Sequence, residues 1–144
     1  MKYKLKASDF DLTTGISFAT IQTPFGEFTG ISKMHPKEKI ASNFIGCENA
    51  EKRAIIKALK EQKKLIMAQR KIMQEYYNLI SNMKGFNKDS KEASKARKYI
   101  YDLNDKIYYI SHSIKEIHST IKKQDEARAE LLKNIYKKKR NKDN

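Results

Sequence analysis

"IYDLNDKIYYISHSIKEIHSTI", residues 100–121, decides the fold. Ile100, Leu103, Ile107, Ile110, Ile114, Ile117 and Ile121 fall alternately three and four apart, the a/d spacing of a coiled-coil seam, kept over three heptads. A helix of that period carries a narrow apolar stripe and needs a partner along its length. Upstream, from about Glu48 to about Lys84, Ile55, Leu59, Ile66, Met73, Ile80 and Met83 recur at helical spacing. Leu65, Ile72, Tyr76 and Leu79 join them, which widens the stripe. Glu48 and Glu51 suit the opening turn, placing negative charge at the positive end of the helix dipole. Between the two helices, "GFNKDS" (85–90) supplies a glycine stop and Asp89 or Ser90 as the next cap. So short a connection predicts antiparallel packing, with facing residue numbers summing to roughly 174.

The second helix is expected to outrun the first. Gln124 and Arg128 take the next two seam positions, after which Leu131 and Ile135 resume it with Leu132 and Tyr136 alongside. This predicts an overhang of roughly 10 to 15 residues, or about 15 to 20 Å at 1.5 Å per residue. Leu131 is expected to be covered by the amino-terminal part folding back. Ile135 and Tyr136 are expected to meet a second copy, making a homodimer, or a foreign partner. The closing "KKKRNKDN" has five basic residues, one acid and no apolar side chain, and is expected to be disordered.

Ahead of the helices, "ISFATIQ" and "EFTGIS" are rich in β-branched and aromatic residues and flank Thr23-Pro24-Phe25-Gly26. Proline sets φ near −65° at the second turn position, and Gly26 can take the positive φ that closes a type I turn with a bulge. A β-hairpin follows, and because two strands alone are marginal it needs a third strand or a helix beneath it. Residues 1–11 alternate weakly and suit a short strand or a flexible lead. A short helix is expected from Pro36 to about Phe44, ending before Gly46. The fold class is therefore α+β, mostly α. A hairpin and short helix (1–47) pack on a long antiparallel two-helix coiled coil (48–136), and a basic tail (137–144) follows.

The 144 residues carry 31 Lys and Arg against 17 Asp and Glu, a net charge of +14. Residues 1–47 hold six lysines and four acids, so residues 48–144 hold 25 basic and 13 acidic residues, net +12. The helices carry the field, which favours nucleic acid, a nucleoprotein or an acidic protein face. No apolar run approaches the roughly 20 residues needed to cross a bilayer. Asp9 and Asp11 interrupt any apolar segment after the first lysines, so a cytoplasmic protein without a secretory signal is expected. The single cysteine, Cys47, has no internal disulfide partner.

Enzyme signatures are scarce: there is no glycine-rich phosphate loop, nucleophile elbow or HExxH. His112 and His118 occupy different helix faces and read as surface residues. His35 reads as a helix-start residue, Cys47 as a small residue at a tight junction, and Asp125, Glu126 and Glu130 as solvated salt-bridge partners. A non-enzymatic protein without cofactor or metal is expected. Candidate contacts come from the tyrosines nearest the helical turn. Tyr101 and Tyr108 lie seven apart at outward positions with Arg97, Lys98 and Lys106 nearby, a mixture able to hold phosphates and stack on bases. The same side chains also suit a protein interface, or rings lying flat over the seam. Phe25 at the hairpin tip and Lys137, Lys138, Lys139 and Arg140 in the tail complete the set.

Thr23-Pro24-Phe25-Gly26, Phe28, Gly30, His35-Pro36, Phe44, Gly46-Cys47, Ala50-Glu51 and Arg53-Ala54 together resemble a pattern of small proteins of bacteriophages and other mobile elements. The likeness covers about residues 18–60. It implies a phage accessory protein made inside a bacterial cell, and anti-CRISPR inhibitors of host defence are one class such chains supply. That class implies a host nuclease or nucleoprotein complex as partner. Many anti-CRISPR proteins mimic DNA and are acidic, so this basic chain points instead to guide RNA, exposed nucleic acid or an acidic protein surface. Two other readings stand beside it: a direct DNA- or RNA-binding accessory protein, and a phage assembly component built around the coiled coil.

Overall fold

Three strands open the chain: β1 (Lys4–Asp11), β2 (Ile16–Thr23) and β3 (Gly26–Lys33). They form one antiparallel sheet in chain order, and helices α1 (Ser42–Ser81) and α2 (Lys91–Asp143) follow. The computed structural model describes residues 1–11, 13–33 and 42–143, with side chains of the last span from 46 to 142. The architecture is α+β and mostly helical. His35, Pro36 and the start of the expected short helix lie outside the described residues.

The hairpin forms around Pro24 and Phe25, with Thr23 opposite Gly26 and Gly26 at φ +124°. Thr23 holds the turn from both sides: its hydroxyl donates to the Gly26 carbonyl at 3.0 Å and accepts from the Phe25 N–H at 3.1 Å. The weak alternation of residues 1–11 resolves as a strand, β1, bulged between Leu5 and Ala7. The hairpin therefore gains both the third strand and the helix beneath it. Lys6, at the bulge, reaches across β2 to pair with Glu27. At the β1–β2 turn the Asp11 carboxylate accepts the Thr13 N–H, and Gly15 turns the chain at φ +69°.

One face of the sheet lies on α1. Ala19 pairs with Gly30, and Ile21 with Phe28, across β2 and β3 on that inner face. Beneath them Ala50, Ala54 and Ala58, four apart on one side of α1, are fully buried. Backbones approach so closely that a Cβ on Gly30 would sit 1.9 Å from the Ala50 carbonyl oxygen. Small residues at this contact bring the strand onto the helix, and Ile21, Ala54, Ala58, Phe28 and Ile55 form the core there.

This contact corrects the expected helix boundary. Gly46 does not end a short helix, because α1 runs unbroken from Ser42 through it. Its missing Cβ makes room for β2, since a Cβ would meet the Ser17 Oγ at 2.5 Å. Glu48 and Glu51 consequently lie beyond the first turn, where Glu48 pairs with Lys52 and Glu51 accepts the Tyr3 hydroxyl at 2.9 Å.

At the other end, Gly85 takes φ +79° and Ser90 caps α2, its Oγ accepting the Ala93 N–H at 3.3 Å. The helices lie antiparallel. Arg70 donates to Asn104 at 3.0 Å and Arg97 to Tyr77 at 3.2 Å, and the residue numbers of each pair add to 174. Leu59, Ile66, Leu103 and Ile110 form the buried seam, with Ile55, Met73, Ile107, Ile114 and Ile117 packed against it.

Only part of the broad apolar stripe of α1 is buried between the helices: Leu65, Ile72, Tyr76, Leu79 and Met83 are exposed. Two helices in line contact can bury only one narrow face of each. Two further expectations need correction. Leu131 is 61% exposed, and its neighbour Leu132 instead lines the groove between α2 and the end of β3. Residues 137–143 continue α2 rather than separating as a tail, with Arg140 and Lys142 in the last turn, where cations favour the helix dipole.

Candidate functional site

α1 presents Lys60, Lys63 and Lys64 within one turn, and the antiparallel register sets them against Ser111, Ile114 and Lys115 of α2. Together with Met67 these residues line a groove of about 390 Å³. No carboxylate is among its lining residues. None of the four lysines is ion-paired to a described carboxylate. The arrangement is a short apolar floor under four ammonium groups. Such a site suits phosphates or carboxylates spread along a chain, and each lysine can reach them as a flexible point charge.

Along the same edge of α2, Tyr101, Tyr108, Lys115 and Lys122 recur every seven residues, about 10.5 Å apart at 1.5 Å per residue. All four side chains are exposed. Tyr108 stacks on His112 with ring centroids 6.4 Å apart and planes within 8°, and meets Tyr109 edge-on at 5.8 Å. His112 also pairs with Glu116 at 3.0 Å. The tyrosines therefore stand away from the seam, and the alternative of rings lying flat over it does not hold for them.

The other expected contact residues separate. Arg97 holds the two helices together, with its guanidinium on the Tyr77 hydroxyl and 6.0 Å from the centre of that ring. Lys98 is exposed one turn from Tyr101. Lys106 is exposed too, but five residues beyond Tyr101 it points about 140° around the helix. Phe25 is half-buried at the sheet tip rather than projecting freely. Lys137, Lys138, Lys139 and Arg140 are exposed on the last turns of α2, on the order of 33 Å along the axis from Lys115. Ile135 and Tyr136 lie beyond the sheet end of α1 and are about half exposed.

Sequence reading missed Lys60, Lys63, Lys64 and Lys115 as a group. The signal was present: lysines at i, i+3 and i+4 share a helix face, and partner numbers summing to 174 bring residues 111–115 against them.

Two other features belong to the fold. Arg53 donates to the Ile31 carbonyl at 2.8 Å and Lys57 to the Thr29 carbonyl at 2.7 Å, so α1 caps the open edge of β3. Cys47 lies against β1, its Sγ 3.8 Å from the Asp9 carbonyl oxygen. Among the described residues no three His, Cys, Asp or Glu side chains gather as metal ligands, and no helix is long and apolar enough to cross a membrane. No protein-family model, no curated protein and no solved structure matches the chain.

Proposed function

We propose that the protein is a non-enzymatic, phage-type interaction protein that binds a host nucleic-acid-processing complex and inhibits it, in the manner of an anti-CRISPR protein. The observation that carries this reading is the groove of Lys60, Lys63, Lys64 and Lys115, four lysines without a described ion-pair partner beside a row of exposed tyrosines. Phosphates of guide or substrate nucleic acid occupy the lysines, and Tyr101 and Tyr108 stack on splayed bases. In this reading the helical pair is a coiled-coil spacer that holds the basic edge straight. The sheet stiffens one end through its close contact with α1.

The test is capture from a bacterial host with tagged full-length protein, before and after nuclease treatment. The reading expects a nucleoprotein particle that is released by nuclease and lost with the variant Lys60→Glu, Lys63→Glu, Lys64→Glu, Lys115→Glu. Capture that survives both treatments contradicts it.

A further inference from the structure

The face of α1 that carries Ala50, Ala54 and Ala58 under the sheet does not stop where the sheet stops. It continues as Leu65, Ala68, Ile72, Tyr76, Leu79 and Met83. Leu65 and Met83 are 18 residues apart, five full turns at 3.6 residues per turn, so they stand in line, and the others fall between them. Residue size changes at the sheet's end: alanines lie beneath the strands and, apart from Ala68, large side chains beyond them. Ile72, Leu79 and Met83 are 64%, 69% and 66% exposed. Beside this stripe Met73, Tyr76, Glu92, Lys95, Ala96 and Tyr99 line a groove of about 430 Å³ between the two helices. With Tyr99 the stripe leaves on the order of 500 Å² of apolar surface, as large as the biggest patch of an ordinary monomer and, doubled, near the low end of a specific interface.

We propose that a second copy of this chain covers the stripe, with the two α1 helices antiparallel across a two-fold axis near residue 74. A two-fold interface must be self-complementary, and this one is. Pairing residue numbers that sum to about 148 sets Leu65 against Met83, Ala68 against Leu79 and Ile72 against Tyr76, with the small residue opposite a large one. The same axis brings Lys71 of one copy beside Glu75 of the other, and neither residue is ion-paired within the described chain.

The charge along the stripe singles out this occupant. Along its line and borders stand Glu61, Lys64, Lys71 and Glu75 of α1 and Glu92 and Lys95 of α2, three acids and three bases, in a chain of net charge +14. An acidic foreign helix is drawn more strongly to the lysine groove, which shares only Lys64 with this border, whereas a locally neutral border permits two basic chains to meet. The dimer leaves Lys60, Lys63 and Lys115 outward and doubles the basic edge.

Sedimentation equilibrium of the full-length protein tests this. Wild type is expected at twice the chain mass. Ile72→Glu and Leu79→Glu each weaken dimerisation at least about tenfold with helical circular dichroism unchanged, because both positions are already exposed in one copy. Lys71→Glu alone weakens the dimer, and Lys71→Glu combined with Glu75→Lys restores it, a rescue that requires the two residues to face each other across the axis. A wild-type monomer at concentrations on the order of 1 mM overturns the proposal. So does a dimer that survives Ile72→Glu and Leu79→Glu, or one abolished by Ile135→Glu alone.

Discussion

Replacing Gly30 with alanine tests the close contact that joins sheet and helix. The added Cβ would lie 1.9 Å from the Ala50 oxygen, 2.5 Å from the Ala54 nitrogen and 3.0 Å from the Ala50 carbonyl carbon. All three atoms are helix backbone, and no rotamer change relieves the clash. β3 and α1 must part by about 1 Å or more, a gap that forfeits about half or more of the dispersion energy of each contact across it. Overpacking of this kind costs about 1 to 3 kcal/mol and sometimes more, and the rigidity of both partners places Gly30→Ala at about 3 kcal/mol. With a urea m-value of about 2 kcal/mol/M, the unfolding midpoint should fall by about 1.5 M. Gly46→Ala is the control. Its Cβ would lie 2.5 Å from the Ser17 Oγ, which can rotate away, and 3.3 Å from the Ser17 Cβ, which must yield by only a few tenths of an ångström, while alanine in a helix gains up to about 1 kcal/mol over glycine. It should unfold within about 1 kcal/mol of wild type. A Gly30→Ala protein as stable as wild type, or a Gly46→Ala protein less stable than Gly30→Ala, would mean that β3 and α1 are not held in so rigid a contact at Gly30.

Removing the edge caps with Arg53→Ser and Lys57→Ser frees the Ile31 and Thr29 carbonyls. The expected outcome is a stability loss under about 1 kcal/mol for each exposed contact but faster aggregation on warming, followed by light scattering. The Tyr3 phenol is held above its ordinary pKa, first by partial burial and then by its hydrogen bond to the Glu51 carboxylate. The folded state favours the neutral phenol, so this contribution is complete below the unfolded pKa of about 10 and is lost as pH rises through the folded value. Urea midpoints compared at about pH 9 and about pH 11 should therefore fall more for wild type than for Tyr3→Phe.

Much of the fold was legible in local pattern. The isoleucine row of α2, the proline and glycine of the β2–β3 turn and the glycine-serine punctuation at 85–90 each encode their element through neighbours close in sequence. The antiparallel register followed because a short turn leaves no other choice. What escaped depended on which surface meets which. Gly46 looks like a helix stop until β2 is placed on it, and Gly30 looks like an ordinary strand glycine until α1 lies beneath it. Leu65, Ile72 and Leu79 could not be told from seam residues by periodicity, because a wide stripe looks the same whether one partner or two cover it. The lysine groove needed two helices in register before Lys115 could be set against Lys60. Arg97 looked available because the Tyr77 hydroxyl that holds it lies on the other helix.

Phosphate binding in the lysine groove is tested by the salt dependence of binding to a short single-stranded RNA. It compares wild type with the variant Lys60→Glu, Lys63→Glu, Lys64→Glu, Lys115→Glu. If the four lysines hold phosphates, log K for wild type falls against log salt with a slope of about −3, and the variant loses that slope with most of its affinity. Equal slopes and affinities for the two proteins, or no binding by wild type at low salt, contradict it.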